Sequence, residues 1–541
     1  LSLIILTPLL LLLLHDLKTW YLLPRGPTPL PFIGNKHQLS PTRPWAQLAA
    51  WARRYGPIYT IWTGRHPTLV INDPVLASDL LERRSATFSS RPRMVAMGEL
   101  LWANASILVQ PYGPAWALRR KLLHRALAPP ALESYKPVQE AEAARLCRAL
   151  LDVESPRGFE RPLERFTASV VFAAAYGRRI DSLEAKVLRD RFAFMRYASG
   201  LNVPGKYAVE AFPWLKYVPA FLAPWKADIQ AHGAAEAAAN LALLGAVEAD
   251  LRAYGADAVA PCLAKQLLLA HAESPIPLSR RDIAFLPASL FGAGSDTTAS
   301  TLCSALLALV THPAAQRTLH TELAATVPLS DTSGRLPRFA DLPRLPYLRA
   351  AVHETLRWRP VAALGGTPHA ASAGEWVGAW YVPRGTTVLV NSWGVNLNEA
   401  YYPDAHVFRP ERFLAETKAR EGEEKLGRPH PTTLRSGGAS AGHGHSSFGW
   451  GRRVCPGAGL ALNSLAIALA CLVWGFEVLP AEGREGRVAL EGEGPEKGYD
   501  IFDYTEGFNI RPRELECRLR VRSVRHREVI EREMGRAMEV L

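Results

Sequence analysis

Phe448-Gly-Trp-Gly-Arg-Arg-Val-Cys-Pro-Gly457 is the stretch on which the reading of this chain turns. Its glycines at 449, 451 and 457 and the proline at 456 impose a tight backbone that can approach a flat group closely. A lone cysteine, Cys455, closes the loop just before an apolar run from about 458 to 474 that reads as a helix. Free amides and the dipole at a helix N-terminus favour a thiolate there, and Arg452 and Arg453 add positive charge for anionic groups. Taken alone, the loop also fits a core cysteine in a glycine-rich turn. Gly457-Ala-Gly459 imitates part of a dinucleotide fingerprint, but the preceding strand and the third glycine are missing.

Outward from the loop, other segments pair chemistry with spacing. Glu354 and Arg357 lie three apart and so share a helix face, among apolar neighbours and ahead of Pro360. A surface ion pair of this kind is common and worth little; a buried one needs further partners. Phe285 to Val310 is a long apolar helix interrupted by Gly292-Ala-Gly-Ser-Asp-Thr-Thr298. Glycine, Asp and Thr are unfavourable there, which predicts a locally widened helix with polar groups facing a cavity; Pro287 predicts a kink. Trp116 and Arg120, four apart, also share a helix face.

The composition is that of a globular protein: 48% apolar and 21% charged residues over 541 positions. The excess of 63 Lys and Arg over 51 Asp and Glu leaves +12, which favours anionic lipid or an acidic protein partner. No basic block with interleaved aromatics is present, so no nucleic-acid partner is expected. Six scattered cysteines do not form a disulfide framework. His443 and His445 sit in the polar, glycine-rich stretch 415–445, and without acidic or thiol ligands nearby they read as solvent-facing rather than metal-binding.

The cysteine loop resembles the heme-binding signature of the cytochrome P450 family, FxxGxRxCxG, with Phe448, Gly451, Arg453, Cys455 and Gly457 at its fixed positions. The resemblance implies a mainly α fold with small β-sheets (α+β) and a single large heme domain. It implies heme b, with Cys455 as the axial metal ligand pushing electron density toward dioxygen. Glu354 and Arg357 are similar to the family's ExxR motif, which Arg412 of Pro410-Glu-Arg-Phe413 completes as a structural triad. Ala293, Gly294, Asp296 and Thr297 resemble the oxygen-activation motif AGxDT: Thr297 hydrogen-bonds the activated oxygen and Asp296 relays protons. Trp116 and Arg120 resemble the WxxxR segment that donates to a heme propionate, with His369 as a third partner.

Monooxygenation of an apolar or aromatic small molecule follows from the resemblance. Electrons would come from NADPH-cytochrome P450 reductase, and cytochrome b5 is a further partner, since the chain carries no flavin or nicotinamide motif. Arg452 lies on the expected docking face. Substrate contacts are expected in 94–109, 192–225 and 361–367, and at Phe291 and Phe508. An isomerase, dehydratase or peroxygenase would not need the Asp296–Thr297 pair, and a non-enzymatic heme protein would need no reductase. The style is that of fungal microsomal members.

Residues 1–14 are apolar apart from Ser2 and Thr7, too few to span a bilayer by themselves, which takes about twenty. The chain opens on Leu, so the expectation is an anchor with residues missing before it. The expected organisation is a transmembrane anchor at 1–20, a stiff proline-rich hinge at 21–35, the heme domain at 36–520 and a charged helical tail at 521–541. Such an anchor implies a single-pass protein of the endoplasmic reticulum membrane, its catalytic domain facing the cytosol.

Overall fold

The run of β-branched and aromatic residues from 58 to 71, broken at Gly64, has the pattern of a hairpin and forms one. Ile58–Thr63 and His66–Ile71 pair antiparallel, with Thr63 opposite His66. The structure is a computed structural model that describes residues 2–201, 207–330, 334–414, 444–484 and 498–540. In it Thr387–Val390 joins His66–Ile71 in parallel, and His369–Ala370 pairs antiparallel with Thr387–Val390 to complete a four-stranded sheet. Two-stranded sheets at Glu375–Val377 with Trp380–Val382, and at Phe476–Pro480 with Cys517–Val521, complete the β structure of the described residues.

Helices make up the rest of the core. The run Pro44–Tyr55, stopped by Gly56-Pro57, reads as a helix and forms one within those limits. Asp73 caps the next helix by accepting from the Leu76 amide at 2.9 Å, and the helix changes pitch after Ser78. The main apolar core joins Pro129–Leu150, Glu160–Tyr176, Arg280–Thr311 and Ala458–Gly475. Ala458–Gly475 is apolar enough to cross a membrane by length and composition, yet 72% of it is buried inside the protein, so it serves here as a core helix. The charged tail forms the helix Val524–Val540 and packs on Pro129–Leu150, burying Val529, Ile530 and Ala537.

Two expectations change. The apolar N-terminal run belongs to a longer helix, Ser2–Leu22, which continues past His15, Asp16 and Lys18. Its 21 residues reach about 31 Å at the usual rise. Its last turns are fastened to the domain: Arg65 pairs with Asp16 at 2.7 Å, the Arg25 guanidinium lies 3.6 Å from the Trp20 ring centroid, and Leu23 is buried. The second change concerns the long helix expected from Phe285. It begins at Arg280, because Ser279 caps it by accepting from the Asp282 amide at 3.1 Å, and it continues through Pro287. The stretch expected as a loop, 415–445, lies outside the described residues up to and including His443.

Candidate functional site

The cysteine loop is shaped by contacts that leave little freedom. Gly451 has φ +56°, and a Cβ there would sit 1.9 Å from the Leu81 carbonyl oxygen, so only glycine fits. The Cys455 amide donates to the Phe448 carbonyl at 2.8 Å, which closes the loop on itself. The Cys455 thiol is exposed at its own surface yet surrounded by protein in the manner of an interior group; it therefore faces internal space. A Cβ on Gly457 would lie 3.9 Å from that sulfur. Burial raises the thiol's pKa, opposed by the Gly457 amide and by Arg120. Desolvation therefore outweighs the helix-end effect that the sequence favours, and a cation at the sulfur would oppose it.

Behind the loop lies the expected triad. Arg357 Nε and Nη2 each donate to the Glu354 carboxylate at 2.7 Å, with both side chains fully buried. Arg412 Nε approaches Glu354 at 3.5 Å, within ion-pair range but without a hydrogen bond, and Arg412 Nη2 donates to the Asp404 carbonyl at 2.8 Å. Glu354 also accepts from the Arg409 amide at 2.8 Å. Sequence reasoning missed the residue that ties this group to the cysteine loop. Arg357 Nη1 donates to the Asn396 carbonyl at 3.0 Å, and Asn396 Oδ1 accepts from both the amide and the hydroxyl of Ser446. A buried Asn has no periodicity or spacing by which a sequence could single it out.

On the other side of the loop, cations gather without carboxylates. Arg453 donates to the carbonyls of Ser89 and Gln110 at 2.8 and 2.7 Å, and its guanidinium carbon lies 4.2 Å from the Trp116 ring centroid. Burial, followed by repulsion from Arg91 and Arg120, lowers its pKa to about 8. Arg91, not foreseen from the sequence, donates to the Thr367 and Pro368 carbonyls, and burial lowers it to about 9. Arg120 is lowered by burial too. Among the described residues no carboxylate pairs with Arg91, Arg120 or Arg453. His369 Nδ1 donates to the Phe88 carbonyl at 2.8 Å; burial, with Arg91 and Arg453 beside it, lowers its pKa to about 3 and keeps it neutral. Charged guanidinium groups in so dry a place call for an anionic partner. A group carrying carboxylates beside a metal that takes a cysteine ligand fits this donor set, so the residues fit heme.

The segment 292–298 remains a continuous α-helix and does not open into the expected widened turn. Its glycines serve packing instead: a Cβ on Gly292 would lie 2.1 Å from Arg191 Nη2, and one on Gly294 would lie 2.4 Å from Val171. The polar groups find partners within their helix and on neighbouring segments. Thr297 Oγ1 donates to the Ala293 carbonyl at 2.9 Å, Thr167 Oγ1 donates to the Ser295 carbonyl at 2.6 Å, and Asn509 Nδ2 donates to Asp296 Oδ2 at 3.0 Å. Ala293 is exposed and Asp296 and Thr297 are half-buried.

Of the expected substrate segments, 94–109 packs with Phe194, Ala198, Val209, Ile229 and Phe285 in one apolar cluster. The segments 361–367 and 508–510 meet elsewhere, with the Ile510 amide on the Val361 carbonyl and the Phe508 ring 3.7 Å from a Cβ on Gly366. His445, expected to face solvent, is buried, with Nε2 3.4 Å from His353 Nδ1. Among the described residues no three His, Cys, Asp or Glu side chains form a metal-binding group.

Comparison with known proteins identifies the family. The sequence profile described as Cytochrome P450 matches residues 24–496. Cytochrome P450 monooxygenase 58 of Postia placenta is 32% identical over 510 residues, covering 92% of this chain and 88% of its own length. Cytochrome P450 monooxygenase aneD of Aspergillus aculeatus is 30% identical over 520 residues, covering 94% and 90%. A zebrafish cytochrome P450 solved with abiraterone shares the fold, with a TM-score of 0.68 and 22% identity over 88% of this chain and 99% of that one. With its cysteine loop, buried Glu–Arg pair and carboxylate-free arginines, and with this match over nearly its whole length, the chain belongs to the cytochrome P450 family.

Proposed function

We propose that this protein is a heme-thiolate monooxygenase that inserts one oxygen atom from dioxygen into an apolar small molecule. The observation that carries this reading is Cys455 facing internal space beside Arg120 and Arg453, which have no carboxylate partners among the described residues. Heme b, when bound, supplies an iron that activates dioxygen once it is supplied with electrons. Cys455 holds the metal as thiolate, and the Gly457 amide and Arg120 temper the sulfur's charge. Arg120, Arg453 and the Trp116 edge receive the propionates. A propionate beside His369 would favour its protonated form, opposing the burial and the Arg91 and Arg453 charges that keep it neutral here. Asp296 and Thr297 supply protons to the reaction site, the apolar walls at 94–109 and around Phe291 exclude water and orient substrate, and Phe508 contacts substrate from its place at Gly366.

Electrons come from NADPH-cytochrome P450 reductase, with cytochrome b5 as a second donor, and the exposed Arg452 belongs to the docking face. The helix Ser2–Leu22 holds the protein on the endoplasmic reticulum membrane with the catalytic domain in the cytosol. Leu10, Leu11, Leu14 and Leu17 are exposed along that helix, which supports a lipid contact. The names of the relatives, monooxygenases of fungi, support the activity. The test is the absorption spectrum of the dithionite-reduced holoprotein under carbon monoxide. A Soret band far to the red, lost in Cys455→Ser, is the expected result; a band at the position of histidine-ligated heme, or no heme, overturns the proposal.

A further inference from the structure

Asp296 is held by a residue more than two hundred positions away. Asn509 Nδ2 donates to Asp296 Oδ2 at 3.0 Å. A carboxylate only accepts, so the amide nitrogen must face it and Asn509 Oδ1 is turned away. That oxygen is buried and has no partner among the described residues. Two residues on, Arg511 Nη1 donates to Glu164 Oε1 at 2.6 Å, while its charge also reaches Asp296 and Cys303. The Arg511 guanidinium is therefore engaged by Glu164, and Asp296 is left on a neutral amide.

That difference matters chemically. A guanidinium against a carboxylate stabilises its ionised form and weakens its hold on a proton, whereas an amide fixes the position with less effect on the charge. We infer that Asn509 is a positioning residue for the proton-delivering carboxylate Asp296, and that Glu164 keeps Arg511 from capturing it. The inference rests on the reading of Asp296 proposed above. In each cycle the Asp296 carboxylate takes one proton from solvent, through a chain that includes a water donating to Asn509 Oδ1, and passes one toward Thr297, so it ends as the carboxylate it began and bulk solvent makes good the proton. A buried carbonyl oxygen with a free lone pair is a suitable seat for that water.

The test uses holoenzyme with its reductase, NADPH and dioxygen, and needs no substrate. Forming peroxide consumes one NADPH per dioxygen and forming water consumes two, so the ratio reports proton delivery. The infrared band of carbon monoxide on the reduced holoenzyme independently senses the polar groups nearby. Asn509→Ala is expected to raise the peroxide fraction, change the solvent isotope effect on NADPH oxidation by about twofold and move the infrared band; Asn509→Gln is expected to retain much of the parent behaviour. Glu164→Gln, on a partly exposed helix face, is expected to act in the same direction, and adding Arg511→Gln to restore the parent values. Parent values in Asn509→Ala overturn the inference. If that variant does not fold, parent values in Glu164→Gln overturn it instead. Parent values in Asp296→Asn remove the proposed role of the carboxylate itself, and the inference with it.

Discussion

Arg120 and Arg453 show how one residue type can do two jobs within one site. Arg453 is tied to the carbonyls of Ser89 and Gln110, so it holds the chain around 89–110 in addition to its proposed part in binding an anion. Arg120 makes no hydrogen bond among the described residues; its charge is felt by Cys455. Arg120→Leu is therefore expected to leave the melting temperature of the heme-free chain unchanged while weakening heme retention about 10- to 100-fold. Arg453→Leu is expected to lower both. Heme transfer to an excess of apomyoglobin, alongside thermal unfolding of each variant, separates the two effects. Equal behaviour of the two variants would mean that Arg120 has a structural role the contacts do not show. The sequence marks both arginines by spacing alone. Arg91, equally buried beside them, carries no such mark.

Between elements, close approach of backbones decides which residues are tolerated. Gly294 brings Arg280–Thr311 against Val171 of Glu160–Tyr176. Gly294→Ala places a methyl group where no space exists, and overpacking of this kind costs about 1–3 kcal/mol. Adding Val171→Ala should recover much of that loss, so a double-mutant cycle in urea is expected to show strong coupling; additive effects would argue against the contact. A second junction is electrostatic. Glu210 accepts from the Val95 and Ala96 amides at 3.0 and 2.8 Å, and Glu99 pairs with Arg93 and Lys216 at 2.6 Å each. These ties hold the turn Val95–Leu101 to the segment between the helices Lys186–Leu201 and Pro224–Tyr254. Arg93 first, then Lys216, lowers the Glu99 pKa. Its contribution is thus fully present above the ordinary carboxylate value and is lost only as pH falls through the lowered one. Hydrogen exchange at 95–101 should be insensitive to pH-driven opening between 6 and 8, once corrected for intrinsic rates, and should quicken in molar salt, which screens exposed pairs. Opening near neutral pH would contradict the assignment.

For the whole molecule, the N-terminal helix does not hang from a free tether. The Asp16–Arg65 pair, Arg25 against Trp20, and Leu23 in the sheet cluster fix its end to the domain. Gly26 lets the connector lie against the Thr60 carbonyl, where a Cβ would be 2.1 Å away. Removing residues 1–14 is expected to reduce flotation with phospholipid vesicles while leaving thermal stability intact. Removing 1–23 should lower stability as well, because Leu23 and the Asp16 pair are lost. Equal stability of the two truncated forms would mean that the fastening contributes nothing. The sequence by itself determined the features that are local. The hairpin, the helix Pro44–Tyr55, the helix after Cys455 and the cysteine motif all follow from short-range spacing, turn residues and periodicity. Only the tertiary structure decided the rest. Whether the Cys455 thiol favours its charge depends on how much protein surrounds it, and desolvation there outweighs the helix end. Asn396 joins the buried Glu354–Arg357 pair to the loop, and Asn509 reaches Asp296, because distant segments meet. Local spacing records which groups are available; burial and long-range contact set their charge and partners, and those belong to the packed chain as a whole.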